Sequence, residues 1–276
     1  MIKPIINSSS EKLLIAISNR LPQSLLITGQ SGVGLTTISL YIAELLKVNP
    51  IIILPEKDEK IDIDKGVISV DIMRRLYNET RTKTAGKRII IIDYSERMTH
   101  QAQNAFLKLL EEPGKDVHFI LVSNSTSKLL PTIISRTENL NIRPISTEQS
   151  DKFIDQLGVS DVTKKSQLLF MADGLPAELT RLIADDNYFN KRSSTVRDAR
   201  ELLRGTVYQK LLIANNYKDD RISALNMLLD AAKILNKSIT ANPQTDTINK
   251  IDGILNAYQQ IEANGNIRLC LARLVL

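Results

Sequence analysis

Apolar residues in the first half of the chain form short runs, and helical patterns separate these runs. The runs lie at Leu25–Ile27, Ile51–Leu54, Ile89–Ile92 and Phe119–Val122. A strand that is buried on both faces is apolar throughout, as each of these runs is. Between the runs apolar residues recur at helical spacing, as they do over Val70–Arg81. This β-α-β-α order predicts an α/β domain in which helices cover a parallel sheet.

From about Ser146 the strand pattern fades and helical spacing continues to the end of the sequence. Ser146 itself is predicted to cap a helix, and Gly174-Leu175-Pro176 is predicted to break one. Asn, Pro and Asp residues occur between residues 236 and 246, and they are predicted to interrupt the helical pattern there. We therefore predict three domains: an α/β domain over residues 1–145, a small helical domain over residues 146–192, and a C-terminal helical domain over residues 193–276.

A glycine-rich turn joins the first predicted strand to the helix that follows it. A phosphate-binding P-loop reads G-x-x-x-x-G-K-[ST], because small residues expose backbone amides, the lysine neutralises phosphate and the hydroxyl ligates Mg²⁺. Here Leu35 occupies the lysine position. The remaining positions fit, which gives the candidate nucleotide-binding residues Gly29, Gly32, Gly34, Thr36 and Thr37. The alternative, an ordinary strand-to-helix turn, stays open at this point.

Asp93 follows the four-isoleucine strand, where a P-loop ATPase carries the carboxylate that holds Mg²⁺. Tyr94 comes next, whereas a water-activating Glu is common there, and Glu96 is expected to point away from the phosphate. Losing the lysine removes a charge-assisted contact of about 1.5–3 kcal/mol. Because the base is missing as well, we expect no hydrolysis of ATP. The alternative for Asp93 is a carboxylate that only caps a turn.

Composition narrows the class of protein further. The chain has 276 residues, 43% of them hydrophobic, and no apolar run approaches the roughly 18 residues that span a bilayer. We see no signal peptide and expect a cytoplasmic protein. Cys270 is the one cysteine, so neither a disulfide framework nor a cysteine zinc site is predicted. The net charge of +5 is too small to predict nucleic-acid binding by itself.

The segment Arg88–Ile142 resembles the AAA+ core of bacterial clamp-loader subunits, in particular the delta-prime subunits of DNA polymerase III. The motifs that carry the resemblance are Asp93, Arg97-Met98-Thr99, Asn104–Lys108, Leu110–Pro113 and Ser135-Arg136-Thr137. The resemblance implies an AAA+ RecA-like P-loop domain, a helical lid and a C-terminal collar that oligomerises.

This resemblance also implies roles for single residues. The P-loop of a delta-prime subunit is commonly degenerate, and Leu35 fits such an inactive member. Ser135-Arg136-Thr137 is similar to the family's Ser-Arg-Cys motif, with Thr137 in place of the Cys. It implies that Arg136, beside Ser135, is an arginine finger that acts in trans on a neighbour's ATP. The alternative for Arg136 is a surface ion pair beside Glu138.

Two further positions follow from the same resemblance. Asn124 matches the sensor-1 residue, which contacts phosphate or water in active members. The start of the sensor-2 helix lacks its arginine, and Arg181 is expected about one turn too late. The four zinc-binding cysteines of many relatives are absent, so no zinc is expected. No cofactor is required by this prediction, although weak binding of ATP with Mg²⁺ stays possible.

The predicted function is therefore a non-hydrolysing clamp-loader subunit, which helps to load the sliding clamp onto primed DNA in replication. Its expected partners are other AAA+ subunits of the gamma/tau and delta types, the sliding clamp and primer-template DNA, and no membrane. One alternative is an AAA+ ATPase in which Lys87 or Arg88 replaces the missing charge. Another is a DNA-binding adaptor outside any clamp loader, which would use the basic face of the α/β domain.

Overall fold

The architecture comes from a computed structural model of the chain, which describes residues 3–63, 65–81, 86–241 and 245–274. Over these residues the chain forms two compact units. Unit 1 comprises Met1–Asp161 and Ala172–Thr180, and unit 2 comprises Val162–Met171 and Arg181–Leu276. The predicted domain boundaries after residues 145 and 192 do not coincide with this division and stay predictions.

Unit 1 contains all the described strands. They are β1 (Ser24–Gly29), β2 (Ile51–Ile53), β3 (Glu56–Lys57), β4 (Lys60–Ile61), β5 (Arg88–Ile92), β6 (Val117–Ser123) and β7 (Glu138–Ile142). Five of them form a parallel sheet in the order β2-β5-β6-β1-β7. The predicted fold class is confirmed, because each predicted apolar run lies in a strand of this sheet.

The helices of unit 1 cover the sheet. They are α1 (Ser8–Asn19), α2 (Leu35–Leu45), α3 (Val70–Arg81), α4 (His100–Glu111), α5 (Pro131–Ile134) and α6 (Thr147–Gln156). Successive residues of a strand point to opposite faces, so one strand supplies two cores. Leu25 and Ile27 of β1 pack with α1 and α2, whereas Leu26 packs with α3 and α4. Burial on both faces explains why β1, β5 and β6 are largely apolar. The predicted burial of the run Ile51–Leu54 is wrong for Ile51 and Ile52, which are 38% and 44% exposed in β2 at the end of the strand order.

A short hairpin of β3 and β4 follows β2, in a stretch for which no strand is predicted above. Its two turn residues, Asp58 and Glu59, both have positive φ, at 51° and 61°. A two-residue turn with positive φ at both positions favours Asn-Gly or Asp-Gly. Asp-Glu is an unusual pair for such a turn, so no hairpin is predicted from the sequence.

Side chains cap two helices of unit 1, and the predicted cap at Ser146 is confirmed. The Thr99 hydroxyl at the start of α4 accepts a 3.1 Å hydrogen bond from the Ala102 amide. Ser146 begins α6 with a capping box, in which its hydroxyl and the Gln149 side chain each accept from the other residue's backbone amide. These bonds satisfy amides that the first turn of a helix leaves unpaired.

Unit 2 is helical over its described residues. Its elements are α7 (Val162–Ala172), α8 (Pro176–Ala184), α9 (Asp186–Arg204), α10 (Val207–Asn216), α11 (Arg221–Ala241), α12 (Thr245–Glu262) and α13 (Ile267–Ala272), and the division between the units falls inside α8. The predicted punctuation at residues 236–246 does not end α11 before residue 241, and residues 242–244 lie outside the described residues.

The described helices carry no membrane-spanning segment, because none of them is both long enough and apolar enough to cross a bilayer.

Candidate functional site

The P-loop, residues 29–36, keeps the backbone of a phosphate-binding turn between β1 and α2. Gly32 and Gly34 have φ values of 93° and 88°, a region that residues with a Cβ rarely adopt. Gly29 is held closely against β7, because a Cβ on it would come within 2.6 Å of the Ile142 carbonyl oxygen. The glycines therefore stand where the backbone requires residues without a Cβ, and their role at a nucleotide stays a prediction.

Leu35, at the lysine position of the P-loop, lies inside the protein. Its side chain is 5% exposed and belongs to the core between the sheet and the helices α1 and α2. A Cβ on Gly29 would lie 3.1 Å from the Leu35 Cδ2 atom. The side chain thus fills apolar space beneath the loop. The position supplies no positive charge for a phosphate.

The two predicted magnesium-binding residues lie together. The Thr36 hydroxyl donates a 2.8 Å hydrogen bond to Asp93 Oδ2, and Asp93 Oδ1 accepts a 2.9 Å bond from the Tyr94 amide. Asp93 is 3% exposed. Burial raises the pKa of Asp93 above its ordinary value, while these two hydrogen bonds lower it and the nearby Glu96 charge raises it further.

The remaining residues predicted around this site stand apart from the pair. Glu96 lies in a 3-10 turn over Ser95–Arg97, and its Oε2 atom is buried without a hydrogen-bond partner among the described atoms. Asn124 is exposed and directly follows β6. Thr37 is exposed on the first turn of α2. Their roles at a nucleotide stay predictions.

The P-loop is covered from one side by the chain segment that precedes α8. The Ala177 amide donates a 3.0 Å hydrogen bond to the Gly32 carbonyl. A Cβ on Gly32 would lie 3.3 Å from the Leu175 Cβ, so the leucine packs on the loop itself. No local pattern in the sequence predicts this contact. Arg181, further along α8, stacks on the Tyr188 ring at 3.9 Å from its centroid.

Arg136 lies on the side of the sheet where the parallel strands begin, whereas the P-loop lies on the side where they end. It comes two residues before β7, whose first residue Glu138 pairs with Leu25, whereas the last residue Ile142 pairs with Gly29. At about 3.3 Å per residue, the four steps of β7 separate the two edges by about 13 Å. Arg136 is thus directed away from the P-loop of its own chain.

The Arg136 guanidinium is held at the surface by an ion pair. Its Nη2 lies 3.0 Å from Glu111 Oε1 at the end of α4, and Nη1 donates a 3.4 Å bond to the Thr132 carbonyl. The side chains of Arg136 and Glu111 are 42% and 54% exposed. An ion pair was therefore rightly considered from the sequence, but Glu138 was the wrong partner. The nearby Ser135 hydroxyl donates to the Thr132 carbonyl at 3.2 Å.

Arg88 occupies a position that argues against its proposed role at phosphate. It begins β5, so it lies at the edge of the sheet where the strands start, whereas the P-loop lies where β1 ends. Its two terminal nitrogens donate to the Glu79 and Thr80 carbonyls near the end of α3. Lys87 precedes it on the same side. Neither residue can replace the missing charge of the P-loop.

Known structures define the class of protein. A DNA polymerase III gamma subunit-related protein from Thermotoga maritima aligns with a TM-score of 0.55 at 21% identity, covering 96% of this chain and 97% of that one. The Thermotoga maritima RuvB Holliday junction branch migration motor aligns at a TM-score of 0.51 and 16% identity, over 85% of this chain and 76% of its own. At these identities the likeness shows the fold alone, a parallel α/β domain followed by helices.

Sequence comparisons show which proteins this chain is similar to. The family model described as DNA polymerase III, delta subunit, matches residues 46–146. Bacillus subtilis DNA polymerase III subunit delta' is 25% identical over 218 residues, which are 69% of this chain and 65% of that protein. A Methanococcus maripaludis replication factor C small subunit is 30% identical over 55% of this chain and 47% of its own length. These matches agree with the predicted resemblance: the chain is similar to clamp-loader subunits over these segments, and it spans 65% and 47% of the length of the two relatives.

Proposed function

We propose that this chain is a non-hydrolysing, delta-prime-like subunit of a clamp loader, which offers Arg136 to ATP bound by a neighbouring AAA+ subunit. The observation that carries the proposal is the position of Arg136 at the sheet edge opposite to its own P-loop. An arginine about 13 Å from its own phosphate-binding loop along the strands is better placed to act on another chain. In P-loop enzymes an arginine supplied in trans increases the rate of hydrolysis by about 10³- to 10⁵-fold.

The ion pair with Glu111 is compatible with this role. Exposed ion pairs contribute only about 0.2–1 kcal/mol, because water screens them and two long side chains must be ordered. A phosphate that approaches from a neighbouring subunit offers Arg136 a multiply charged partner with bidentate geometry. Glu111 therefore orients the guanidinium without trapping it.

The P-loop of this chain does not fit ATP. Its lysine position is an apolar core residue, Leu35, and Leu175 packs on Gly32 of the same loop. We accordingly propose that no nucleotide is needed for the role of this subunit, and that the loop is kept as a scaffold for β1 and α2. The absence of zinc is likewise part of the proposal.

The proposed assembly contains gamma/tau-like and delta-like AAA+ subunits, and through them it acts on the sliding clamp and primer-template DNA. The clamp-loader relatives support these partners. In unit 2, α10 exposes a contiguous apolar stripe of Val207, Tyr208, Leu211 and Leu212. Such a stripe supports the proposed collar contact, since exposed apolar patches mark protein interfaces.

The test is the ATPase of a clamp loader reconstituted with this chain. Arg136→Ala should leave the assembly intact and lower the DNA-stimulated ATP turnover of the partner by at least about 100-fold, toward the range known for arginine fingers. Arg74→Ala is the matched control, because Arg74 is also an exposed arginine with a carboxylate partner, Asp71. Turnover that stays unchanged in the Arg136 variant would remove the finger role.

A second candidate, an ATPase that hydrolyses ATP itself, is favoured by one observation. Thr36 and Asp93 remain hydrogen-bonded to each other, so both predicted ligands of Mg²⁺ are in place. Turnover of Mg-ATP by the isolated chain, lost in Asp93→Asn, would support this candidate. Turnover that persists in Asp93→Asn would come from a contaminating enzyme.

A further inference from the structure

Unit 2 contains a cavity between α7 and α9 that none of the proposed roles uses. Its volume is about 500 Å³, within the range of about 300–1,000 Å³ that is typical of small-molecule sites. Residues of α7 that recur at helical spacing form one wall, and residues of α9 form the other. All of its lining residues belong to unit 2.

The floor of the cavity is apolar, and its rim is polar. Phe170, Met171 and Val196 form the apolar part, and Met171 and Val196 are buried. Ser166 and Ser193 add hydroxyl groups at the rim. Such a mixture suits a ligand with a flat apolar body that also carries polar groups.

Positive charge converges on the same cavity. Arg197 and Arg200 line it from successive turns of α9, and both are exposed. The Lys237 ammonium of α11 lies 4.9 Å from the centroid of the Phe170 ring, which adds a third cation beside the floor. Among the described residues that line the cavity, none is acidic. The site therefore attracts an anion.

The two arginines differ in their engagement with carboxylates. Arg197 Nε is 4.0 Å from Asp198 Oδ1, and the other oxygen of Asp198 accepts a 2.8 Å hydrogen bond from the Tyr217 hydroxyl. Within the described part of the chain, Arg200 has no carboxylate within ion-pair distance. An arginine that faces a cavity without a protein partner keeps its fork of donors available for a bidentate anion such as phosphate.

We propose that this cavity binds a nucleotide unit, with its phosphate at Arg197 and Arg200 and its base against Phe170, Met171 and Val196. The unit belongs either to a single-stranded nucleic acid or to a free mononucleotide, since both offer a phosphate beside a flat apolar base. Grooves that bind single strands combine cationic residues with side chains on which bases stack. This site lies outside the P-loop and goes beyond the proposed function, because it needs no partner subunit.

The direct test is fluorescence anisotropy of the full chain with a labelled single-stranded oligothymidylate of about ten nucleotides. Arg200→Gln should weaken binding about 10- to 100-fold, as expected when one charge-assisted contact to phosphate is lost. It should also reduce the slope of log K against log salt by about 0.7, since one fewer phosphate is neutralised. Arg197→Gln should act in the same direction.

Arg268→Gln is the matched control. It makes the same change of charge in unit 2, on the exposed surface of α13, which packs on α10 and α12. Binding by this variant should equal that of the unchanged chain. Equal losses in the Arg268 and Arg200 variants would mean diffuse attraction to a basic surface and would overturn the proposal, as would no loss in either.

Two further probes separate the possible ligands. An abasic strand of the same length should bind at least about tenfold more weakly, because it lacks the stacked base; equal binding overturns the apolar half of the site. Competition by thymidine monophosphate identifies a free nucleotide as the ligand, whereas resistance to it identifies a strand. Binding of a glutamate-rich peptide that depends on Arg200, with no binding of the oligonucleotide, would overturn the nucleotide proposal.

Discussion

The Thr36 hydroxyl donates a 2.8 Å hydrogen bond to Asp93 Oδ2, across 57 positions of the sequence. The bond joins the first turn of α2 to the end of β5 at one edge of the sheet. Both residues are of the types predicted to hold Mg²⁺, whereas Leu35, which precedes Thr36, is a buried apolar residue. The proposed loss of nucleotide binding rests on this combination.

Asp93 should contribute to the pH dependence of stability. Burial raises the pKa of Asp93, so the folded state binds its proton more tightly than the unfolded state. The resulting stabilisation is present below the ordinary pKa and is lost as pH rises through the pKa of the folded protein. In urea unfolding at a series of mildly acidic pH values, Asp93→Asn should therefore flatten the decline in stability. An unchanged decline would contradict this reading.

Leu35 should behave as a core residue in spite of its place in a phosphate-binding motif. Leu35→Ala should lower the free energy of unfolding by about 2–5 kcal/mol, because it leaves a cavity beneath the P-loop. Leu45→Ala in the same helix is the control, since that side chain is 45% exposed and its loss should cost well under half as much. Chemical denaturation measures both. Equal effects would mean that Leu35 is not packed.

Gly29 and Gly253 should respond in opposite ways to alanine. A Cβ on Gly29 would meet the Ile142 carbonyl oxygen at 2.6 Å, so Gly29→Ala should destabilise the protein by about 1–3 kcal/mol. A Cβ on Gly253, inside α12, meets only ordinary contact at 3.4 Å. Gly253→Ala should raise the free energy of unfolding by about 0.5–1 kcal/mol. A stabilising Gly29→Ala would refute the close approach of the P-loop to β7.

Arg192 and Asp230 form a buried ion pair in unit 2, with an Nη1 to Oδ2 distance of 2.9 Å and exposures of 10% and 1%. Asp230→Ala should cost about 3–5 kcal/mol, because it removes the carboxylate that compensates the charge of a buried guanidinium. The exposed pair of Lys191 and Asp220 is the control, and Lys191→Ala should cost at most about 1 kcal/mol. Thermal unfolding compares the two. Similar losses of stability would show that burial does not determine how much each ion pair contributes to the free energy of unfolding.

Much of unit 1 could be predicted from the sequence because its signals are local. Four isoleucines in a row at Ile89–Ile92 can hardly be anything but a buried strand. Thr99 and Ser146 cap helices through atoms only three residues away. The β3–β4 hairpin was missed because its turn residues, Asp58 and Glu59, are not those that the turn favours.

The contacts that shape the candidate site lie beyond local signals. Glu111 pairs with Arg136 across 25 positions, and Leu175 packs on Gly32 across a much longer stretch. No pattern in the sequence pairs these residues, since each belongs to a different element. The Arg88 alternative failed for the same reason: the sequence shows a positive charge, but only the direction of β5 shows which edge of the sheet carries it.

The sequence by itself determined the parallel α/β fold, the degenerate P-loop with Leu35 and the motif that contains Arg136, because periodicity, glycine positions and residue chemistry are local properties. Tertiary structure alone decided that Leu35 is buried, that Arg136 faces away from its own P-loop beside Glu111, and that Arg197 and Arg200 border an apolar cavity. The physical reason is that burial and the meeting of distant side chains depend on how elements pack, and packing brings together residues that no local pattern relates.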